Sequence, residues 1–421
     1  MDPKATSFIF LCFFFALAGG ATITKLEGIK GTIKFIETDS NFYTYIITNN
    51  TFGDHFYALN SRNRIILEKD FHNITSVIFN HRNKLHLFDS VEKNKTSVWV
   101  FQRSYQTFIP TLTLLLNYTS AYPGFFDNDG NLFFESASGI SILRHDETVP
   151  NVLEYLEYFT MMNNASYTVD KKGNVYLGLV TKDKPIVRVV AQLEREEISQ
   201  PDPMPYFYYY STTFGDIVQM TAFNNSIAFK TPSQLLMLQN DNFYIVYSWS
   251  SYYPSAILQA TSEKLFYQYY TCYIYYAKPT RSNFQVQYFP SCQVVHAFDK
   301  EGNAFFASIS ESRVSSIWRN GTSLTTLNVP NTLFIRGLSE NGKGDVWVLA
   351  QSLYYIPRGS KDATKVINLP FARKSGLIKA KKGTDDVFVA LDDKLYLISK
   401  LGIKESDFEL PEEELPQSAL N

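Results

Sequence analysis

The sequence predicts an all-β chain folded as a β-propeller, on three observations. The composition favours strand formers: aromatics make up 16 % of 421 residues, with 34 Phe and 28 Tyr. A turn spelled D-x-x-G-N recurs down the chain, each time ahead of a short aromatic strand. Its copies stand about 38–52 residues apart, room for four short strands per unit, which is the length of a propeller blade.

The clearest copies are residues 127–134 (DNDGNLFF), 170–177 (DKKGNVYL) and 299–306 (DKEGNAFF). Looser copies fall at 80–87, 223–229, 262–267, 339–348 and 382–389. The spelling follows from turn chemistry. A short hairpin loop needs one residue at positive φ, which Gly adopts without a Cβ clash. Asp at the turn start bonds the backbone ahead of it. Further strands are expected at 140–143, 186–190, 315–318, 353–356 and 394–398. The expectation is about eight four-stranded blades, with seven as the alternative if some loose copies are second hairpins. The strands in 33–68 would complete the last blade, so that N-terminal strands close the fold. A β-sandwich is the rival architecture, but it has no need of the repeat. Helical patterning is scarce; residues 192–198 read as a brief helical or loop insertion before the Pro-rich 201–205.

The ends read differently from the body. Residues 1–20 carry Lys4, an apolar run over 8–18 and then small residues, the layout of a cleaved secretory signal. An uncleaved anchor is the alternative, against which the run is short. Residues 21–404 are the expected propeller, and 405–421 an acidic solvated tail. Sequons at Asn49, Asn73, Asn94, Asn117, Asn164, Asn224 and Asn320 fit an extracellular glycoprotein. Cys272 and Cys292 remain after the signal, a pair suited to one disulfide or, alternatively, two buried thiols.

Net charge is −2, from 39 Lys+Arg against 41 Asp+Glu, which argues against a nucleic-acid partner. No later stretch is long and apolar enough to cross a membrane as a helix, so the expected product is a secreted monomer. G-x-S-x-G, H-E-x-x-H and P-loop motifs are absent. His55, His72, His81, His86, His145 and His296 lack metal-ligand spacing and read as surface or core histidines. Residues 127–131 resemble the opening of a calcium loop, but Gly130 stands fourth and no Glu stands twelfth, so a plain turn is the stronger reading.

Half of the 28 tyrosines lie between Tyr206 and Tyr276. Alternation along strands divides such runs between two faces. Three readings stay open: packing between blades, an aromatic-lined pocket, or a protein-contact surface. The pocket reading names Tyr208, Tyr210, Trp249, Tyr253, Tyr269, Tyr273 and Tyr275.

A signal-like N-terminus followed by blades spelled D-x-x-G-N-[LVA]-[FY]-[FL], carried by 127–134, 170–177 and 299–306, resembles the secreted insect propellers, namely the ommochrome-binding and venom-R-like proteins. The yellow/royal-jelly proteins are similar in size and compartment. Gluconolactonase-type propellers share the turn; they hold a divalent metal, for which no ligand set is assigned here. The resemblance implies a salivary, venom or haemolymph protein and transfers no functional residue.

The leading expectation is a non-enzymatic binding protein without cofactor, carrying a small aromatic or hydrophobic ligand or acting as a secreted effector. A metal-dependent lactone or ester hydrolase of the propeller type, with three or four Asp, Glu or Asn side chains converging, is the first alternative. A protein-binding effector is the second.

Overall fold

The computed structural model describes residues 21–79, 84–92, 95–115, 124–136, 139–144, 151–152, 166–178, 186–189, 207–210, 217, 219–223, 226–239, 242–249, 255–260, 264–269, 273–279, 284–290, 294–298, 303–308, 313–317, 324–329, 335–368, 376–391 and 394–400. Helices are absent among them, and the strands form nine four-stranded antiparallel sheets. Eight of the sheets are up-and-down meanders of consecutive strands, the blades of a β-propeller, and the ninth takes one strand from the N-terminal end. We number the blades in chain order: I (32–71), II (74–115), III (125–152), IV (166–210), V (219–248), VI (255–290), VII (294–328), VIII (337–368) and IX (377–400). Strand Ala21–Lys25 pairs with Lys394–Lys400 as the fourth strand of blade IX.

The expected fold class is thus present, and an N-terminal strand completes the last blade. Among the described residues the blades number nine rather than eight. Each of the eight turn copies belongs to a different blade, II to IX. Residues 33–68 form blade I in their own right, and the closing strand lies ahead of them. Residues 1–20, 192–198 and 405–421, with Cys272 and Cys292, lie outside the described residues.

The chain divides into two compact units. The first contains blades VII, VIII, IX and I. Apolar side chains of successive sheets meet face to face. Phe305 and Val314 of blade VII pack with Val346, Val348 and Tyr354 of blade VIII. Trp347, Leu349 and Tyr355 turn to the other face and pack with Val387, Val389 and Tyr396 of blade IX. Ile36, Ile46 and Tyr57 of blade I pack with Phe388, Leu395 and Leu397 of blade IX. The first strands of these blades run beside one another. At Gly337 a Cβ would stand 2.6 Å from Ile378 Cγ2, so the close approach of blades VIII and IX requires glycine there.

The second unit contains blades II to VI and is built alike. Phe88 and Val98 of blade II pack on Leu132, Phe134 and Leu143 of blade III. Tyr176 of blade IV meets Met220, Ile227 and Phe229 of blade V. Ala228, Leu235 and Met237 turn to the other face of blade V and meet Leu265 and Tyr267 of blade VI.

The recurring turn is a hydrogen-bonded knot. Asp127 Oδ1 accepts from the Asp129 and Asn131 amides at 3.0 and 2.9 Å, and Oδ2 from Asn131 Nδ2 at 2.8 Å. Asp170 repeats this with Lys172 and Asn174. Gly130 and Gly173 hold the fourth position at φ 85° and 83°. With its carboxylate engaged this way, Asp127 serves the turn rather than a calcium loop. Blade I uses the same knot without glycine: Phe42 takes φ 65° at the fourth position, and Asp39 accepts from the Asn41 and Tyr43 amides.

Candidate functional site

The first strand of each blade pairs through only one edge within its own sheet, so the other edge needs partners for its backbone groups. In the first unit these come from side chains of adjacent blades. Ser339 Oγ of blade VIII accepts from the Ala380 amide of blade IX at 2.8 Å. Thr38 Oγ1 of blade I donates to the Ala380 carbonyl at 3.3 Å. In the second unit Gln219 of blade V plays both parts toward Ile257 of blade VI, accepting from its amide at 2.9 Å and donating to its carbonyl at 3.0 Å.

The same strands of the first unit carry a half-buried ionic group. Lys379 Nζ of blade IX donates to Glu37 Oε2 of blade I at 2.7 Å. Lys382 Nζ stands 3.8 Å from Glu37 Oε1, so one carboxylate faces two ammonium groups. Next to it, Lys381 is buried, and its ammonium donates to Ser61 O and Asn63 Oδ1, both at 2.9 Å. Burial lowers the Lys381 pKa, opposed by the nearby Asp386 carboxylate.

His296 is the chemically versatile group of this set. It lies on strand Val294–Phe298, the first of blade VII, opposite Phe306, with its ring 5.4 Å from that of Phe298. Register places it three residues before the first turn of its blade, level with Ile36, Leu338 and Ile378 of the other blades in the unit. Ile36 and Leu338 are buried, whereas His296 is exposed. Desolvation nonetheless lowers its pKa. An imidazole that solvent reaches but protein atoms crowd is neutral at pH 7, with a ring nitrogen able to take a proton.

The other described histidines are engaged in packing or with carboxylate partners. His86 is buried against Phe126 and lies 3.2 Å from the Lys84 carbonyl through Nδ1. Desolvation pushes its pKa down to about 4, with the Lys84 carbonyl opposing. A folded-state pKa below the unfolded value means that stability is full above about 6.5 and falls as pH drops toward 4. His86→Leu is therefore expected to remove up to about 3 kcal/mol of acid destabilisation between pH 6.5 and 4. Urea midpoints across that range check this; a variant with the same slope as the parent would refute it. His55 meets Asp70 at 2.5 Å and His72 meets Asp89 at 3.4 Å. His81 and His145 lie outside the described residues.

The tyrosine-rich stretch divides as strand alternation requires. Tyr267 and Tyr276 are buried, Tyr267 in the core between blades V and VI. Trp249 is used the same way: its Nε1 donates to the Pro232 carbonyl at 2.7 Å, and its ring lies 6.0 Å from Tyr247 and 6.5 Å from Tyr267. Tyr208 and Tyr210 stand on the fourth strand of blade IV, in register with Arg188 and Ile186. Tyr269, Tyr273 and Tyr275 stand on the second and third strands of blade VI; Tyr269 pairs with Tyr273, and Tyr275 with Tyr267 and Tyr288. The side chains of these five lie outside the described residues, as does all of Tyr253. Among the described residues, no three or more His, Cys, Asp or Glu side chains are placed to hold a metal ion. The acidic cage of the hydrolase alternative is not found among the described residues.

No family model and no curated protein matches the sequence. Solved structures share its fold at 10 % identity. A streptogramin B lyase structure covers 90 % of this chain and 98 % of its own, with a TM-score of 0.40. The WD40 domain of SCAP from fission yeast covers 91 % and 98 % at 0.43. AztD from Citrobacter koseri covers 86 % and 99 % at 0.46. The expectation of a non-enzymatic binding protein is corrected on this finding. It rested on the aromatic excess and on missing catalytic motifs; the solved structures similar to this chain include a streptogramin B lyase.

Proposed function

We propose that this chain is a propeller enzyme that cleaves a carboxylic ester or lactone, with His296 as the general base. The observation that carries the reading is a solvent-reached imidazole, held neutral by desolvation, at a first-strand position that blades I and VIII fill with the buried Ile36 and Leu338. In the step, His296 takes a proton from water as the water oxygen bonds to the ester carbonyl carbon. The imidazolium then returns the proton to the leaving alkoxide as the C–O bond breaks. A pKa lowered by desolvation leaves the His296 imidazole unprotonated at neutral pH, with a ring nitrogen free to take a proton.

The test is a panel of p-nitrophenyl esters of increasing acyl length together with five- and six-membered lactones, followed by colour release and by proton release. Hydrolysis above the buffer blank that scales with enzyme concentration is expected for at least one member. A blank result across the whole panel would sink the proposal.

A further inference from the structure

We propose that Asn49 carries an N-linked glycan whose first N-acetylglucosamine lies on the ring of Phe52. The proposal stands apart from the hydrolase reading. Asn49, Asn50 and Thr51 form a sequon on the hairpin joining Thr44–Asn50 to Gly53–Leu59 of blade I. Asn49 pairs with Asp54 and Asn50 with Gly53, so Thr51 and Phe52 are the two-residue tip. Asn50 Oδ1 accepts from the Phe52 amide at 2.8 Å and fixes that tip. Phe52 is 97 % exposed, the most exposed large apolar side chain described, and nothing in its own unit covers it. A phenyl ring left in water on a rigid tip calls for an explanation in a way that scattered surface aliphatics do not.

The Asn49 amide is ready for the modification. It is exposed, and Nδ2 donates to Asp54 Oδ1 at 3.3 Å. Asp54 is itself buried and held by Lys34 Nζ at 2.8 Å. In the transfer, the Nδ2–C1 bond forms and the C1–O bond of a lipid-diphosphate-linked oligosaccharide breaks. One amide proton leaves with the diphosphate. The remaining N–H can keep the bond to Asp54 and orient the linkage, and the axial C–H bonds of the sugar suit the face of an aromatic ring. Asn73, the other described sequon, is also exposed, but it precedes the buried Ile74.

The experiment uses the full chain secreted by cultured eukaryotic cells from its own N-terminal segment. Glycan at Asn49 is read by the mass shift on peptide-N-glycosidase treatment of the peptide holding residues 49–51. It is expected in the parent and in Phe52→Ala, and lost in Asn49→Gln and Thr51→Ala. Chymotrypsin then reads the contact, since it cuts after aromatic residues and Phe52 stands exposed at a loop tip. Cleavage after Phe52 is expected to be about three- to tenfold faster in Asn49→Gln than in the parent. In a Phe52→Leu background, still a chymotrypsin site, removing the glycan should accelerate cleavage much less. An unmodified Asn49, including a chain that enters no secretory route, overturns the site. Equal acceleration with Phe52 intact and in the Phe52→Leu background overturns the stacking.

Discussion

Replacing His296 with Gln is expected to lower kcat for ester or lactone hydrolysis by about 10²–10⁴-fold, with a much smaller change in KM. Gln keeps a polar group of similar reach but cannot take a proton, so the loss isolates the base from any part that His296 plays in binding. The fold should survive, because His296 is exposed and its neighbours Phe298 and Phe306 keep their own packing. His72→Gln is the control: His72 is an exposed residue of the other unit, beside Asp89. Initial rates on the best substrate of the panel decide it. A His296→Gln rate within about threefold of the parent would remove His296 from the chemistry.

Replacing Asp39 with Ala is expected to cost about 2–4 kcal/mol, read as a lowered urea midpoint. The Asp39 carboxylate is 1 % exposed and serves three donors: the Asn41 amide at 2.8 Å, the Tyr43 amide at 3.0 Å and the Tyr45 hydroxyl at 2.7 Å. Tyr45 is fully buried, so its hydroxyl would lose this acceptor where water cannot easily replace it. The turn also holds Phe42 at positive φ, a conformation costing a non-glycine residue about 1–2 kcal/mol. Without the carboxylate, the backbone there has less reason to stay. Asp39→Asn keeps an acceptor but adds a donor, and should fall between Ala and the parent. Asp170, whose knot has Gly173 in the strained position, should tolerate Ala better. A midpoint for Asp39→Ala equal to that of the parent would mean that the knot is decoration.

What the sequence discloses follows from how local each signal is. Asp127, Asp170 and Asp299 announce blades because the turn needs a side-chain acceptor at its start and glycine at its fourth position, and both requirements lie within five residues. Blade I escapes because residues 39–43 do not spell D-x-x-G-N: Phe42 stands where blades III, IV and VII carry Gly130, Gly173 and Gly302. Strand Ala21–Lys25 is hidden for another reason: its partner is Lys394–Lys400, at the far end of the chain.

The candidate site is less legible. Tyrosine density draws attention to residues 206–276, yet Tyr267, Tyr276 and Trp249 are consumed by packing. Density does not say which face a strand residue takes. His296 is passed over when histidines are judged by spacing to one another. Its signal is positional: aligned on the Asp299 turn, it occupies a place held by Ile36, Leu338 and Ile378 elsewhere. The pair Glu37–Lys379 cannot be foreseen either, since the two are 342 residues apart and meet only because the first and last blades are neighbours in one unit.

The pH dependence of kcat/KM for the best ester, compared between the parent and His296→Gln, tests the catalytic reading most directly. The parent rate should rise with pH through a single ionisation below the ordinary histidine value of 6.5 and be level by neutrality. In His296→Gln that limb should vanish along with most of the rate. A parent profile that climbs steadily through about pH 8, or a limb that persists in the variant, would show that another group takes the proton.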